Sequence, residues 1–430
     1  MNYPDSVQFL YKLGNEIKSA KLGLERIEAL LATLGNPERA YRVVHVAGTN
    51  GKGSTCAMID AGLRAAGDRT GLFTSPHLVE PTERIQIDGM PVTESQFVEA
   101  FDAVHKAAES LSLDCHPTYF ETVTAMAFWL FRKMGVHTAV IETGLGGRLD
   151  ATNVVTPVLT VITPIDFDHE AYLGNSIEAI AGEKAGILKR GVPAVFAKQR
   201  LEAEKILNVR SAELHIKVQR AGEFLVEDLD LLARRSRFSI PGIGDVECPL
   251  PGEHQVENAV TAAVALAELG VSPEGIAEAQ WPGRLEHISP NPDVILDGAH
   301  NPAGARALAR YIERFYARES AGGEPGRRRW IVFGAMRDKS VEEIAGILFP
   351  LADELVFTAP DSTRALRPEA LVEMAGRGKT APDIKAALEL VQKEASSDDV
   401  VFVTGSLFLV GEARPSSYNR SSWPFSGAWS

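Results

Sequence analysis

Residues 45–55, HVAGTNGKGST, decide the fold of this chain. An apolar run that starts at Val43 predicts a buried strand before them, and an apolar, helix-forming stretch follows at residues 56–66. A glycine-rich turn between a strand and a helix points backbone N–H groups inward at the helix N-terminus, where anionic oxygens are stabilised. The lysine adds a positive charge, and the hydroxyls after it suit a magnesium ion. The stretch therefore predicts a phosphate-binding loop for a nucleoside triphosphate.

The spacing of this loop is not the commonest one for phosphate binding. The pattern GxxxxGK[ST] requires a glycine at position 46, where this chain has a valine. The first glycine is Gly48, and Gly53 lies between Lys52 and the two hydroxyls. A glycine turn that binds no phosphate is the alternative, but the strand before the turn and the helix after it favour the phosphate loop.

Composition and charge exclude several classes of protein. The 430 residues are 45% hydrophobic and 23% charged, which is typical of a globular chain with two or three domains. The net charge of −13 argues against a nucleic-acid partner and against binding to anionic lipid. Cys56, Cys115 and Cys248 form no CxxC pair, so we expect reduced thiols and a cytoplasmic location. No signal sequence and no run of about 18 apolar residues occurs, so we expect no membrane span.

Strand-like and helix-like segments alternate along the chain, which predicts an α/β fold with a doubly wound parallel sheet. We expect a P-loop domain at residues 1–288, with a small antiparallel patch built from IKVQ (216–219), RFSI and DVEC. The alternation restarts after SPNPD and predicts a smaller C-terminal α/β domain at residues 289–414. Residues 415–430 are Ser-rich, and we expect a flexible tail there.

Three predicted strand ends carry side chains that suit a magnesium ion. Ser75, Glu142 and His169 each follow or close a strand, and ligands of open α/β sheets lie outside the carboxyl ends of the strands. Hydroxyl and carboxylate oxygens are usual magnesium ligands, whereas a histidine is less usual. The alternatives are a salt-bridged Glu142, a turn residue at Ser75 and a hydrogen-bonded loop histidine, with Asp166 and Asp168 as rival ligands.

Three further segments carry candidate functional residues. The second glycine-rich loop, GLGGRLDATN at residues 144–153, suits either phosphate binding or substrate positioning. Lys184 lies in GEKAGI on a predicted helix, where a lysine normally faces solvent. DGAHNP at residues 297–302 places Asp297 and His300 between a strand and a helix of the second domain.

Together these motifs resemble one family. AGTNGKGST, TSPHL with TERI, ETGLGGRLDATN, DH-x3-LG, GEKAGI, PGRLE, DGAHNP and GSLFLVGE occur in this order, from about residue 9 to residue 414. The chain is similar to the folylpolyglutamate synthase/dihydrofolate synthase family, which belongs to the Mur-ligase superfamily of ATP-dependent amide-forming ligases. Glu80 departs from the pattern, since the family often has a basic or neutral residue after SPHLV.

The resemblance implies roles that spacing alone does not supply. It implies a magnesium site formed by Ser75, Glu142 and His169, and a carbamylated lysine at Lys184. It implies catalytic roles for Lys52, Lys184 and His300. The implied ATP contacts are Thr49, Asn50, Gly51, Lys52, Gly53, Ser54, Thr55, Asn258, Arg284, Asp297 and His300. The implied substrate contacts are Gly23, Leu24, Glu25, Arg84, Thr118, Tyr119, Phe120, Glu121, Leu149, Asp150 and Ala151.

The function implied by the resemblance is the addition of L-glutamate to a folate, to 7,8-dihydropteroate, or to both. ATP would first convert a substrate carboxylate into an acyl phosphate, which the amine of glutamate then attacks. The resemblance also suggests a monomer. The alternatives are a Mur-type cell-wall ligase, disfavoured because only about 40 residues precede the phosphate loop, and a nucleotide-binding switch without ligase activity, which has no use for a second ligand loop.

Overall fold

The computed structural model describes residues 1–14, 23–111, 116–317, 327–337 and 339–414. The chain divides into two compact units. The first contains residues 1–230, 237–249 and 255–280, and the second contains residues 231–236, 250–254 and the chain from 281 onward. Cys115 and the expected tail at 415–430 lie outside the described residues.

A mostly parallel sheet of eight strands forms the centre of the first unit. Its strands are β1 (Arg42–Ala47), β2 (Thr70–Phe73), β3 (Ile85–Ile87), β4 (Met90–Pro91), β5 (Thr138–Glu142), β6 (Leu159–Ile162), β7 (Ala194–Phe196) and β8 (Val218–Arg220). Their order is β4-β3-β2-β5-β1-β6-β7-β8, and only the pairs that involve β3 and β4 at one edge are antiparallel. The doubly wound parallel sheet is thereby confirmed, with β1 between β5 and β6.

Helices cover this sheet. They are α1 (Tyr3–Lys12), α2 (Glu25–Thr33), α3 (Lys52–Ala65), α4 (Glu94–Ser110), α5 (Tyr119–Lys133), α6 (Glu170–Leu173), α7 (Ile177–Lys184), α8 (Leu201–Leu214) and α9 (Glu253–Glu268). The helix α4 begins at a capping box, in which Thr93 and Gln96 exchange hydrogen bonds. Aromatic side chains of α4 and α5, among them Phe97 and Phe128, are fully buried in the main hydrophobic cluster, and each contributes about 1.5–3 kcal/mol by leaving water.

The small patch differs from the expectation in one strand. It is a three-stranded sheet of β9 (Glu227–Leu231), β10 (Ser236–Ile240) and β11 (Gly244–Cys248). The assignment of IKVQ to this patch is wrong, because its Val218 begins β8 and pairs in parallel with Ala194 of β7. The helix α8 connects β7 to β8, so this segment continues the strand–helix alternation of the large sheet.

In the second unit, the residues that the structure describes form a six-stranded sheet and five helices. Its strands are β12 (Glu286–Pro290), β13 (Asp293–Leu296), β14 (Arg329–Phe333), β15 (Glu354–Phe357), β16 (Lys379–Thr380) and β17 (Val400–Thr404), in the order β12-β13-β17-β14-β15-β16. Its helices are α10 (Pro302–Phe315), α11 (Val341–Leu348), α12 (Pro368–Ala375), α13 (Ile384–Glu394) and α14 (Leu407–Ala413). The expected boundary between residues 288 and 289 falls inside β12. Because β12 pairs with β13, the division lies before residue 281 instead.

No helix among the residues that the structure describes is long and apolar enough to cross a membrane.

Candidate active site

The phosphate loop connects β1 to α3 and depends on two glycines. Gly48 and Gly51 have φ angles of +156° and +80°, which side chains rarely adopt. A Cβ at Gly48 would lie 1.8 Å from Thr163 Oγ1, and one at Gly51 would lie 2.3 Å from Asn258 Oδ1. The chain therefore needs glycine at both positions, and the predicted ATP contact Asn258 lies directly beside the loop.

The other predicted residues of the loop divide into two groups. The backbone N–H groups of Thr49 and Asn50 donate to Pro164 O at 2.9 and 3.2 Å, which fixes the shape of the turn. Lys52 and Gly53 begin α3, so their N–H groups have no partner within the helix. No side chain caps α3 among the described residues. This helix start can therefore hold the phosphate oxygens of a nucleotide.

Lys52 lies beside Glu142, one of the three predicted magnesium ligands. Its Nζ donates to Thr49 O at 3.3 Å and lies 3.8 Å from Glu142 Oε1. The second oxygen of Glu142 accepts a hydrogen bond from the backbone N–H of Ser75 at 3.2 Å. The structure thus brings Lys52, Ser75 and Glu142 together at the ends of neighbouring strands β2, β5 and β1.

His169 lies at the same edge, because it follows β6, the strand on the other side of β1. It immediately precedes α6 and has a φ angle of +52°, and its N–H donates to Asp168 Oδ1 at 2.9 Å. Among its rivals, Asp166 forms an ion pair with Arg200 at 3.0 Å. In the described part of the chain, no three His, Cys, Asp or Glu side chains form a ready-made metal cluster. The hydroxyl and carboxylate of Ser75 and Glu142 nevertheless suit magnesium, which usually keeps several waters and phosphate oxygens as ligands.

Lys184 is not on a solvent-facing helix surface. It is 4% exposed, and its Nζ donates to Gly48 O of the phosphate loop at 2.7 Å. Burial, and secondly the charge of Lys52, lower the pKa of Lys184 to about 7. A substantial fraction of this amine is therefore neutral and nucleophilic near neutral pH.

Asp150 shapes the second glycine-rich loop. Its Oδ2 accepts hydrogen bonds from the N–H groups of Gly144 and Leu145 at 2.9 and 2.8 Å. Its Oδ1 accepts from the backbone and hydroxyl of Thr152. Burial raises the pKa of Asp150, and these hydrogen bonds oppose the shift. Leu149 and Ala151, the other predicted substrate contacts of this loop, flank a carboxylate that is already fully hydrogen-bonded.

A second predicted substrate segment contacts this loop. A Cβ at Gly144 would lie 2.5 Å from Phe120 Cζ, so the ring of Phe120 packs directly against the loop backbone. Thr118 and Glu121 form a capping box at the start of α5, and Glu121 also pairs with Arg26 at 3.1 Å. Arg26 lies in the first turn of α2, immediately after the predicted contacts Gly23, Leu24 and Glu25.

Arg84 and Tyr119 also lie together. The guanidinium of Arg84 lies 5.2 Å from the centre of the Tyr119 ring, and its Nε donates to His77 Nδ1 at 2.8 Å. Tyr11 stacks on the other predicted contact, Tyr119, with ring centres 5.9 Å apart. A guanidinium beside stacked aromatic rings can bind a flat, polar heterocycle or its carboxylate. Sequence reasoning missed Tyr11 and His77, although His77 lies in the quoted TSPHL motif.

Gln255 is a further residue that sequence reasoning missed. It is buried in α9, and its Nε2 donates to Ser54 Oγ at 3.2 Å. Its Oε1 accepts from Asn258 Nδ2 at 3.0 Å. The hydroxyl of Thr55 is buried and has no hydrogen-bond partner among the described residues. The spacing of Gln255 and Asn258, three residues apart on one helix face, is the signal that could have identified Gln255.

The predicted ATP contacts of the second unit also form a cluster. Asp297 follows β13, and its carboxylate accepts from the N–H groups of Leu285 and Ala299 at 3.1 and 3.0 Å. Burial raises the pKa of Asp297, and the charge of Arg284 opposes this shift. A Cβ at Gly298 would lie 2.2 Å from Arg284 Nη1, and His300 Nδ1 donates to Gly298 O at 2.8 Å. Arg284, Asp297 and His300 therefore surround one short turn.

Comparisons with known proteins agree with this geometry. Residues 46–266 match the family described as Mur ligase middle domain, and residues 283–407 match the family described as Mur ligase, glutamate ligase domain. A dihydrofolate synthase/folylpolyglutamate synthase of Bacillus subtilis is 36% identical, over 92% of this chain and 94% of the relative. A folylpolyglutamate synthase of Lacticaseibacillus casei is 34% identical, over 96% and 98%.

Solved structures show the same likeness. The Mycobacterium tuberculosis folylpolyglutamate synthase complexed with ADP is 36% identical and has a TM-score of 0.87, covering 96% of this chain and 97% of that one. The E. coli FolC structure in complex with DHPP and ADP is 34% identical, with a TM-score of 0.84 and 96% coverage of both chains.

Proposed function

The chain belongs to the folylpolyglutamate synthase/dihydrofolate synthase family of Mur ligases, and on that basis we propose how its residues bind ATP and join L-glutamate to a folate or to dihydropteroate. It is an ATP-dependent ligase that forms a carbon–nitrogen bond. Relatives of this chain bind ADP and AMPPCP, which supports ATP as its nucleotide. The observation that carries the proposal is the phosphate loop, with Lys52 3.8 Å from Glu142 at its mouth.

The phosphates of ATP bind at the start of α3, where N–H groups without helical partners and Lys52 hold them. The carboxylate of the substrate attacks the γ-phosphorus, which gives an acyl phosphate and releases ADP. The amine of L-glutamate then attacks the acyl carbon, and phosphate leaves as the amide forms. Phosphoryl transfer depends mainly on positioning and charge neutralisation, so Lys52 and Arg284 contribute most to the first step. His300 or Asp297 accepts the proton that the attacking amine loses.

Ser75, Glu142 and His169 are the residues that would hold magnesium, with nucleotide oxygens and waters as its other ligands. Magnesium would supply charge neutralisation at the phosphates. Asn258, Arg284, Asp297 and His300 contact the nucleotide outside the loop. Gly23 to Glu25, Arg84, Thr118 to Glu121 and Leu149 to Ala151 contact the folate or pterin substrate.

Lys184 is carbamylated in this proposal. A neutral amine attacks carbon dioxide, and burial keeps a fraction of the Lys184 amine neutral near pH 7. As the nitrogen bonds to the carbon it releases one proton to solvent, and the product is a carbamate, whose negative charge can orient water around a cation at the mouth of the phosphate loop. An intact mass raised by one carbon dioxide, which disappears in Lys184→Met, would support this modification.

The test is a substrate panel with the purified chain, ATP, magnesium and labelled glutamate. Dihydropteroate and tetrahydrofolate are offered separately, because the two activities differ in substrate placement and not in chemistry. We expect glutamate-dependent release of phosphate with at least one of them and none with a UDP-linked peptide. Turnover only with the UDP-linked peptide would indicate a cell-wall ligase. Hydrolysis that ignores glutamate would indicate a nucleotide switch.

We also propose a cytoplasmic monomer. The family resemblance suggests the monomer, and cysteines without CxxC spacing fit a reducing compartment. Light scattering after gel filtration would measure the mass in solution, for which the chain alone predicts 46.5 kDa.

A further inference from the structure

A buried histidine connects the phosphate-loop strand to the second glycine-rich loop. His45 lies in β1, three positions before Gly48, and is completely buried. Its Nε2 lies 2.8 Å from the hydroxyl oxygen of Thr152. That hydroxyl is in turn hydrogen-bonded to Asp150 Oδ1. Among the residues that the structure describes, His45 Nδ1 has no hydrogen-bond partner.

The donor and the acceptor of each hydrogen bond between His45, Thr152 and Asp150 can be assigned. Asp150 already accepts three backbone N–H groups, from Gly144, Leu145 and Thr152. A carboxylate that accepts three N–H groups also accepts the proton of the Thr152 hydroxyl. Because this hydroxyl has one proton, it can only accept from the ring, so His45 Nε2 is the donor. Burial also lowers the pKa of His45 to about 3, which keeps the ring neutral.

A purely space-filling role does not account for this arrangement. An apolar side chain would fill the same volume without burying a ring nitrogen that has no partner. The contribution that distinguishes histidine here is the hydrogen bond to Thr152. Through Asp150 that bond reaches the N–H groups of Gly144 and Leu145, at the point where the loop leaves β5.

Resting on the proposed function, we propose that His45 is a positioning residue for the folate or pterin substrate. Its hydrogen bond to Thr152 holds the loop at residues 144–151 in fixed register with the phosphate loop on the same strand. Since Leu149, Asp150 and Ala151 are the proposed substrate contacts there, His45 sets where the substrate lies without touching it. The expected signature is a change in the KM of this substrate, with the KM of ATP unchanged.

The test compares matched variants at both ends of the bond. His45→Leu and Thr152→Val remove it, whereas His45→Gln keeps an N–H donor the same number of bonds from Cβ, and Thr152→Ser keeps the hydroxyl. We expect the first two to raise the KM of the pterin or folate substrate by up to about tenfold. His45→Gln and Thr152→Ser should have a KM for this substrate near that of the wild type. The double variant His45→Leu/Thr152→Val should have the same KM as either single variant, because both remove the same hydrogen bond.

Hydrogen exchange supplies a readout that needs no turnover. The amides of Gly144 and Leu145 should exchange faster in Thr152→Val than in Thr152→Ser, while those of Thr49 and Asn50 should not change. Unchanged exchange, equal KM values for the Ser and Val variants, or additive effects in the double variant would overturn the proposal. If His45→Leu does not fold, the Thr152 pair still decides the outcome. A wild-type chain without glutamate-dependent turnover would contradict the proposed function, and the exchange data would still test the role of His45.

Discussion

Replacing Gly51 by alanine should separate nucleotide binding from stability. Gly51 and Gly67 flank the two ends of α3 and have similar φ angles, +80° and +88°. A Cβ at Gly67 meets nothing within 4 Å, whereas a Cβ at Gly51 would lie 2.3 Å from Asn258 Oδ1. Gly67→Ala is therefore a matched control, which has the same backbone strain without the steric conflict.

The magnitudes follow from these contacts. The left-handed backbone costs an alanine about 1–2 kcal/mol, so both variants should lose at least this stability and a few degrees of melting temperature. Only Gly51→Ala must also rotate Asn258, which breaks its 3.0 Å hydrogen bond to Gln255 and moves it away from the nucleotide. Losing one hydrogen bond to a charged phosphate costs about 1.5–3 kcal/mol, which corresponds to an ATP affinity about ten- to a hundredfold weaker.

The assay is calorimetric titration with a non-hydrolysable ATP analogue, accompanied by thermal unfolding of each variant. We expect weaker binding and the lower melting temperature of the two in Gly51→Ala, because it also loses the buried hydrogen bond between Asn258 and Gln255, and wild-type affinity in Gly67→Ala. Wild-type affinity in Gly51→Ala would refute the assignment of the phosphate loop and Asn258 to the nucleotide. Equal loss of binding in both variants would show that the effect is global and does not arise at the loop.

Three further substitutions test other parts of the site. Lys52→Ala should abolish glutamate-dependent ATP hydrolysis with an unchanged circular dichroism spectrum, and near-normal turnover would contradict its role. In buffers freed of carbon dioxide, where Lys184 stays an unmodified amine, its pKa falls from 10.5 to about 7 on folding. The unfolded chain then binds the extra proton between these values, and the free energy of unfolding should rise with pH across this window. Lys184→Met should flatten that rise in denaturant titrations at several pH values. Gln255→Ala should raise the KM of ATP several-fold, because Ser54 and Asn258 both lose their partner; an unchanged KM would show that these contacts are only structural.

The parts of the fold that local sequence determines could be predicted. The phosphate loop was identifiable because a strand, glycines and a helix follow each other within about 25 residues, and each has its own local pattern. The capping box of Thr93 and Gln96 was identifiable for the same reason. In contrast, IKVQ is a short strand, and nothing in its composition says which sheet it joins. Only its pairing with β7, fixed by the helix between them, assigns it to the large sheet.

The contacts that sequence reasoning missed are long-range. Lys184 and Gly48 are 136 positions apart, and Gln255 and Ser54 are 201 positions apart. A lysine in a helical segment gives no sign of burial until the phosphate loop packs over it. The sequence likewise gives no sign that His45 contacts Thr152. The pattern around Thr152 predicts only a glycine-rich loop. Such residues become visible when the strand order places the loops after β1, β5 and β6 at one edge.

The charges at that edge explain why a cation belongs to the proposed site. Lys52 already pairs with Glu142. Lys184 offers little positive charge near neutral pH, because its lowered pKa leaves much of the amine neutral and the proposed carbamate is negative. A triphosphate at the start of α3 would therefore be neutralised at this edge mainly by Lys52, whose charge is already partly offset by Glu142. If Lys52 turned to the phosphates, Glu142 would lose its ion-pair partner, and its negative charge would repel the nearby phosphates. A divalent cation held by Glu142 would supply positive charge that removes this repulsion, so nucleotide and cation should bind as a coupled pair.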